Sequence, residues 1–151
     1  MRIGFPCQHK PDKKLIPLLA AKVPAGNLAE RDSFFEYISL DDYVARGSSD
    51  AIMYIIIEGD SMEDVGLFSG DLLVIDRLKQ PDCYDEILVQ INGEITVKQW
   101  KDIYDADNRR HLSLVPKNNK YQTRKLTVAD KVEILGVVEY SVSRRKNRKR
   151  K

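Results

Sequence analysis

Histidine, cysteine and tryptophan are scarce in this chain, at two, two and one among 151 residues. Two cysteines, Cys7 and Cys83, cannot make a disulfide framework, which points to a reducing compartment, the cytoplasm. Two histidines leave little room for a Ser-His-Asp set: His9 stands in a proline-rich stretch and His111 follows a charged loop. Long apolar runs are missing too. The longest, residues 51–57, has seven members, too few to span a bilayer. The N-terminal stretch MRIGFPCQHKPDKK has no apolar segment after its charges, so it does not read as a secretory signal. No internal repeat is present, and no motif calls for a metal or an organic cofactor.

Charge is abundant but unevenly placed. The net charge is +2, yet seven of the last eight residues, Arg144 to Lys151, are Lys or Arg. Without them the chain carries 18 basic against 23 acidic residues, so its body is acidic. The basic segment 144–151 reads as a disordered tail able to touch nucleic acid non-specifically through phosphates.

Four prolines, Pro6, Pro11, Pro17 and Pro24, interrupt residues 1–25, which read as an irregular arm. Within it, Leu15-Ile16-Pro17-Leu18-Leu19 is apolar enough to lie against something. Residues 39–46 read as a short helix, with Ser39 as N-cap and Gly47 as its stop. From there on the pattern is that of strands, over residues 51–58, 71–76, 86–91, 94–101, 112–115, 125–128 and 132–143. Asn92-Gly93 between two such runs is a strong hairpin signal. The expected fold is mostly β: a compact, largely antiparallel domain over residues 26–143, with a short helix, an extended arm before it and the basic tail after it. The arm is too short and proline-rich to hold a DNA-reading helix-turn-helix.

Gly59-Asp60-Ser61-Met62 follows a strand directly, with Gly66 and Gly70-Asp71 soon after. A serine just past a strand end sits on a rigid edge, and nearby glycines let backbone amides face a developing oxyanion. Alone, such a serine is most often a turn residue. With histidine excluded, a serine nucleophile needs another base, and a desolvated lysine can serve. Lys98 lies inside the second hairpin strand, where alternation groups it with Thr96 and Trp100 and puts Ile95 and Val97 on the other face. Trp100 is placed to cover the lysine stem, and Thr96 to orient the amine. Proton abstraction near neutral pH requires the amine to fall several units from about 10.4.

Together these residues resemble the self-cleaving family of LexA, phage repressors and UmuD. The resemblance covers residues 16–140. It rests on Gly59-Asp60-Ser61-Met62, Gly66 and Gly70-Asp71-Leu72-Leu73-Val74, and continues through Asn92-Gly93-Glu94 and Thr96-Val97-Lys98. Leu114-Val115-Pro116-Lys117-Asn118, Tyr121 and Gly136-Val137-Val138 complete it, and the 37-residue separation of Ser61 from Lys98 also fits. The resemblance implies a serine endopeptidase with Ser61 as nucleophile and Lys98 as general base, cutting its own chain at a small-residue bond. Val23-Pro24-Ala25-Gly26 offers that bond at Ala25-Gly26, with Val23 and Pro24 as the recognition residues and Ala20-Ala21 as the fallback.

The short arm and the segments Leu40-Asp41-Asp42-Tyr43 and 55–62 resemble UmuD more than LexA. That likeness implies a homodimer paired through residues 134–142, stimulation by a RecA filament on single-stranded DNA, and delivery of the trimmed subunit to a UmuC-type polymerase in the DNA-damage response. Three features depart from the pattern: Asn27-Leu28-Ala29 after the cleaved glycine, the loop DADNRR at 105–110, and the basic tail. The competing expectations are a repressor lacking its DNA-binding domain and a β interaction module with no chemistry.

Overall fold

The computed structural model describes residues 14–19, 35–45, 49–104, 106–108 and 110–144. Contacts divide the chain into two units, Met1–Ser49 and Asp50–Lys151. The bonds at Ala25-Gly26 and Ala20-Ala21, with Val23 and Pro24, lie outside the described residues, as do Gly47 and residues 145–151.

In the first unit, β1 (Ile16–Leu19) pairs antiparallel with β2 (Phe35–Ile38), Ile16 opposite Ile38 and Leu19 opposite Phe35. The expectation of an irregular arm over residues 1–25 is therefore corrected at residues 16–19. Pro17 does not prevent pairing, because both strands of a two-stranded sheet are edges and the missing N–H costs no interior bond. Helix α1 (Leu40–Ala45) follows Ser39, whose carbonyl accepts the Tyr43 N–H at 3.0 Å.

The second unit is a seven-stranded sheet: β3 (Ile52–Ile56), β4 (Leu72–Asp76), β5 (Glu86–Ile91), β6 (Glu94–Tyr104), β7 (Arg110–Val115), β8 (Arg124–Lys125) and β9 (Val132–Val142). Their order is β3-β4-β9-β5-β6-β7-β8, and all neighbours run antiparallel. The fold is mostly β, as the alternating sequence implied. Asn92 and Gly93 adopt φ of 51° and 94°, the positive values that a two-residue hairpin turn of matching twist requires.

Alternation gives the sheet two apolar clusters. Leu73, Ile75, Leu88 and Val97 pack with Met62 and Leu67; Ile87, Val89, Ile91, Trp100, Leu114 and Val137 form the other. The last strand lies at the centre, between β4 and β5, and its register shifts against both, between Val74 and Ile75 and between Leu88 and Val89. Gly136 borders the shift against β5, where it pairs with Leu88. A Cβ there would lie 2.5 Å from Ile75 Cγ2 and 2.6 Å from the Asp76 carbonyl oxygen, so the strands close only over glycine.

Strand β8 is shorter than the 125–128 run suggested. The Asp130 carboxylate accepts the amide and hydroxyl of Thr127, at 2.9 and 3.0 Å, and turns the chain where apolar patterning alone predicts extension.

Candidate active site

The excursion between β3 and β4 is closed at its base by two backbone bonds, Gly70 N–H to Ile57 O at 2.7 Å and Ile57 N–H to Asp71 O at 3.1 Å. The buried Asp71 carboxylate accepts the Phe68 N–H at 2.9 Å, and Ser69 Oγ accepts the Gly59 N–H at 3.3 Å. Past Ser61 the chain makes one tight 3₁₀ turn (Glu63–Val65), reversed at Gly66 with φ of 82°. The Met62 carbonyl accepts the N–H groups of Val65 and Leu67, while the Met62 and Leu67 side chains enter the first apolar cluster. Ser61 thus precedes a residue anchored in the core and is itself half-buried.

Lys98 comes from the middle of β6, opposite Ile87 of β5. The turn beside β6 is tied to it by two further bonds, Trp100 N–H to Asp85 O and Tyr84 N–H to Trp100 O, both 2.8 Å. Trp100 is buried in the second cluster. From this position the Lys98 amine donates a hydrogen bond to Ser61 Oγ at 2.7 Å. Thr96, expected to orient the amine, makes no hydrogen bond to it among the described residues. Burial holds the Lys98 ammonium below the usual lysine range, because the charged form loses more hydration than the neutral one.

The loop after β7 grips the serine turn from outside. Lys117 N–H donates to the Ser61 carbonyl at 2.6 Å, and Asp64 N–H donates back to the Lys117 carbonyl at 2.8 Å. Asn118 Nδ2 donates to the Asp60 carbonyl at 2.8 Å. The Asp60 carboxylate accepts from the Tyr121 hydroxyl at 2.5 Å and from Lys120 Nζ at 3.0 Å. The Tyr121 hydrogen bond first, then Lys120, hold Asp60 below the usual carboxylate range; Asp60 in turn raises both Tyr121 and Lys120.

Ser61 and Lys98, singled out in sequence, are therefore brought together. Asp60, Lys117, Asn118 and Tyr121 stood in quoted motifs without a role, and Lys120 was not singled out. The one sequence signal for them was opposite charge, an aspartate before the serine and a basic, hydroxyl-bearing segment after a strand. His111 belongs to β7, opposite Ile103.

A half-buried serine hydroxyl on a core-anchored turn, in hydrogen-bond contact with a desolvated lysine amine, is an arrangement suited to nucleophilic acyl transfer. Comparison with known proteins agrees with that class. The family model for peptidase S24-like proteins matches residues 17–139, and the chain belongs to this family, the group to which the likeness to LexA and UmuD pointed. It is 30% identical to Protein SamA of Salmonella typhimurium over 132 residues, 87% of each chain. It is 33% identical to Protein ImpA of Escherichia coli over 89 residues, 58% of this chain and 61% of that one. With the LexA repressor of Magnetococcus marinus it shares 30% identity over 139 residues, 88% of this chain and 55% of the repressor. Among the described residues no helix is long and apolar enough to cross a membrane.

Proposed function

We propose that the chain is a self-cleaving serine endopeptidase that cuts its own Ala25-Gly26 bond with Ser61 and Lys98. The observation that carries this reading is the 2.7 Å contact between the Lys98 amine and Ser61 Oγ, with the amine desolvated. Neutral Lys98 takes the Ser61 proton as Oγ bonds to the Ala25 carbonyl carbon. Lys98 then passes that proton to the Gly26 nitrogen as the C–N bond breaks, leaving an ester between Ser61 and Ala25. Lys98 then takes a proton from water as the water oxygen bonds to the Ala25 carbonyl carbon, the bond to Oγ breaks, and the proton returns to Ser61, leaving a free Ala25 carboxyl. The Ser61 amide makes no backbone hydrogen bond among the described residues and is a candidate oxyanion donor.

By likeness to UmuD, cleavage belongs to the DNA-damage response and is stimulated by a RecA filament on single-stranded DNA. The trimmed chain then acts as a dimer with a UmuC-type polymerase in error-prone translesion synthesis. The basic tail 144–151 adds a non-specific nucleic-acid contact.

Intact mass followed over a day at about pH 7 and pH 10, beside Ser61→Ala and Lys98→Ala, tests the reading. Loss of residues 1–25, faster at pH 10 and slowed at least ~1,000-fold in both variants, is expected. The pH sign follows from Lys98: activity rises as pH climbs through its lowered pKa and the amine loses its proton. A wild-type chain that stays whole at both pH values and with the filament added, or a Ser61→Ala chain that is still cut, leaves the interaction-module reading instead.

A further inference from the structure

Asp60 precedes Ser61 and has a carboxylate, yet its oxygens are both committed elsewhere, one to the Tyr121 hydroxyl and one to Lys120 Nζ. No hydrogen bond joins that carboxylate to Ser61 or Lys98 among the described residues. The backbone on either side of the serine is tied to the same loop, Asp60 O by Asn118 Nδ2 and Ser61 O by the Lys117 amide. Asn118 is itself buried, and its Oδ1 accepts the Lys120 N–H at 3.0 Å, so the loop that does the holding is internally braced. The turn needs such a hold. Gly59, with φ of 94°, sits on one side and a single 3₁₀ turn on the other, so no strand ladder fixes Ser61.

We infer that Asp60 and Tyr121 are positioning residues for Ser61: their hydrogen bond clamps the turn so that Oγ stays in line with the Lys98 amine. The inference rests on Ser61 being the nucleophile. A shift of a fraction of an ångström at Oγ lengthens the proton-transfer contact, and displacements near 1 Å cost on the order of 100-fold in rate. Both partners are exposed, but the Tyr121 hydroxyl donates to a charged acceptor at 2.5 Å and heads the influences that lower Asp60, whereas Lys120 is 3.0 Å away, more exposed and more fully screened by water. Tyrosine therefore carries more of the clamp than lysine.

The test follows self-cleavage of the full chain across pH, together with hydrogen exchange of the Glu63, Asp64 and Lys117 amides, which donate across the turn, in Tyr121→Phe, Asp60→Ala, Asp60→Asn, Lys120→Ala and the double variant Asp60→Ala/Tyr121→Phe. Tyr121→Phe lowers the alkaline plateau rate about tenfold with the pH midpoint, set by Lys98, in place. Asp60→Ala slows cleavage at least as much, because it also removes the Lys120 contact, and the double variant is no slower than Asp60→Ala, since no bond to Tyr121 is then left to lose. Asp60→Asn keeps an oxygen for the tyrosine and recovers part of the rate; Lys120→Ala slows cleavage less than Tyr121→Phe. Exchange of the Glu63, Asp64 and Lys117 amides quickens in Tyr121→Phe.

Wild-type cleavage and exchange in Tyr121→Phe would overturn the inference. So would a rate loss whose midpoint climbs toward the ordinary lysine range, since that reports an opened, wetted site rather than a displaced serine. If the wild-type chain never cleaves, the nucleophile reading fails separately, and exchange of the Glu63, Asp64 and Lys117 amides alone decides the clamp: faster exchange in Tyr121→Phe upholds the hold on the turn, and unchanged exchange overturns it.

Discussion

Ser61 and Lys98 arrive at one 2.7 Å contact from unlike supports. Lys98 stands inside an eleven-residue strand whose neighbours fix its register through a continuous ladder. Ser61 stands on an irregular turn held by a buried methionine on one side and a handful of loop-to-loop hydrogen bonds on the other. The lysine is placed by the fold, and the serine by a few side chains. A strand position can be disturbed only by disturbing the sheet, whereas a clamped turn can be loosened one bond at a time while the sheet stays intact.

The harshest way to break this comparison is to damage the sheet at its centre. Gly136→Ala forces a Cβ to within 2.5 Å of Ile75 Cγ2 and 2.6 Å of the Asp76 carbonyl oxygen, where backbone cannot yield cheaply. Overpacking of that kind costs about 3 kcal/mol, read as a lower urea midpoint with the slope unchanged. Cleavage falls with the folded population. A midpoint within experimental error of the wild type would mean that β4 and β9 are not locked together there.

Lys98→Met separates placement from chemistry. It keeps the stem but removes the amine, so cleavage is lost while the strand remains. Stability moves the other way. The folded-state pKa of Lys98 lies below its unfolded value, so between the two the unfolded chain binds more protons and stability rises with pH. Below the folded pKa the penalty for burying the ammonium is fully present; above about 10.4 it is gone. Lys98→Met therefore raises the melting temperature at pH 7, and the gain shrinks toward zero as pH passes 10.4. Equal melting temperatures at pH 7 would show that the amine is better hydrated than its place in β6 implies.

The same contrast explains what could be read from sequence. Lys98 was legible because period-2 alternation and Asn92-Gly93 fix a hairpin from local residues alone, and β5 begins and ends at Glu86 and Ile91 as patterned. Ser61 was legible by its motif, but its clamp was not, because Asp60 and Tyr121 are 61 residues apart and meet only after β7 has folded back. Pairing of β1 with β2 escaped for a related reason: Pro17 argues locally against a strand, and the partner that outweighs it begins at Phe35. The early stop of β8 depends on Asp130 taking the Thr127 amide, a side-chain competition that hydrophobic patterning does not register.

Asp130 also supplies the gentlest test, because it is a second aspartate held much as Asp60 is. Its carboxylate accepts from Asn92 Nδ2 at 2.9 Å, from Arg124 at 2.7 Å and from the Thr127 amide and hydroxyl. These bonds, the Thr127 amide foremost, hold it far below the usual carboxylate range. Asn92 is further joined to Lys131 by two backbone-directed bonds of 2.9 Å, so the knot links the β5–β6 hairpin turn to the start of β9. It shares no hydrogen-bond partner with Asp60 among those described. Asp130→Ala should therefore lower the melting temperature by about 5 °C while cleavage per folded molecule stays at the wild-type rate. Its contribution is present above the unfolded pKa of about 3.9 and is lost as pH falls toward the folded value, so the melting-temperature gap closes in acid. Asp60→Ala should give the opposite pattern, a slower reaction with the smaller change in melting. If Asp130→Ala slowed cleavage as Asp60→Ala does, any tightly bonded aspartate would serve. The turn beside Ser61 would then have no special claim on the rate.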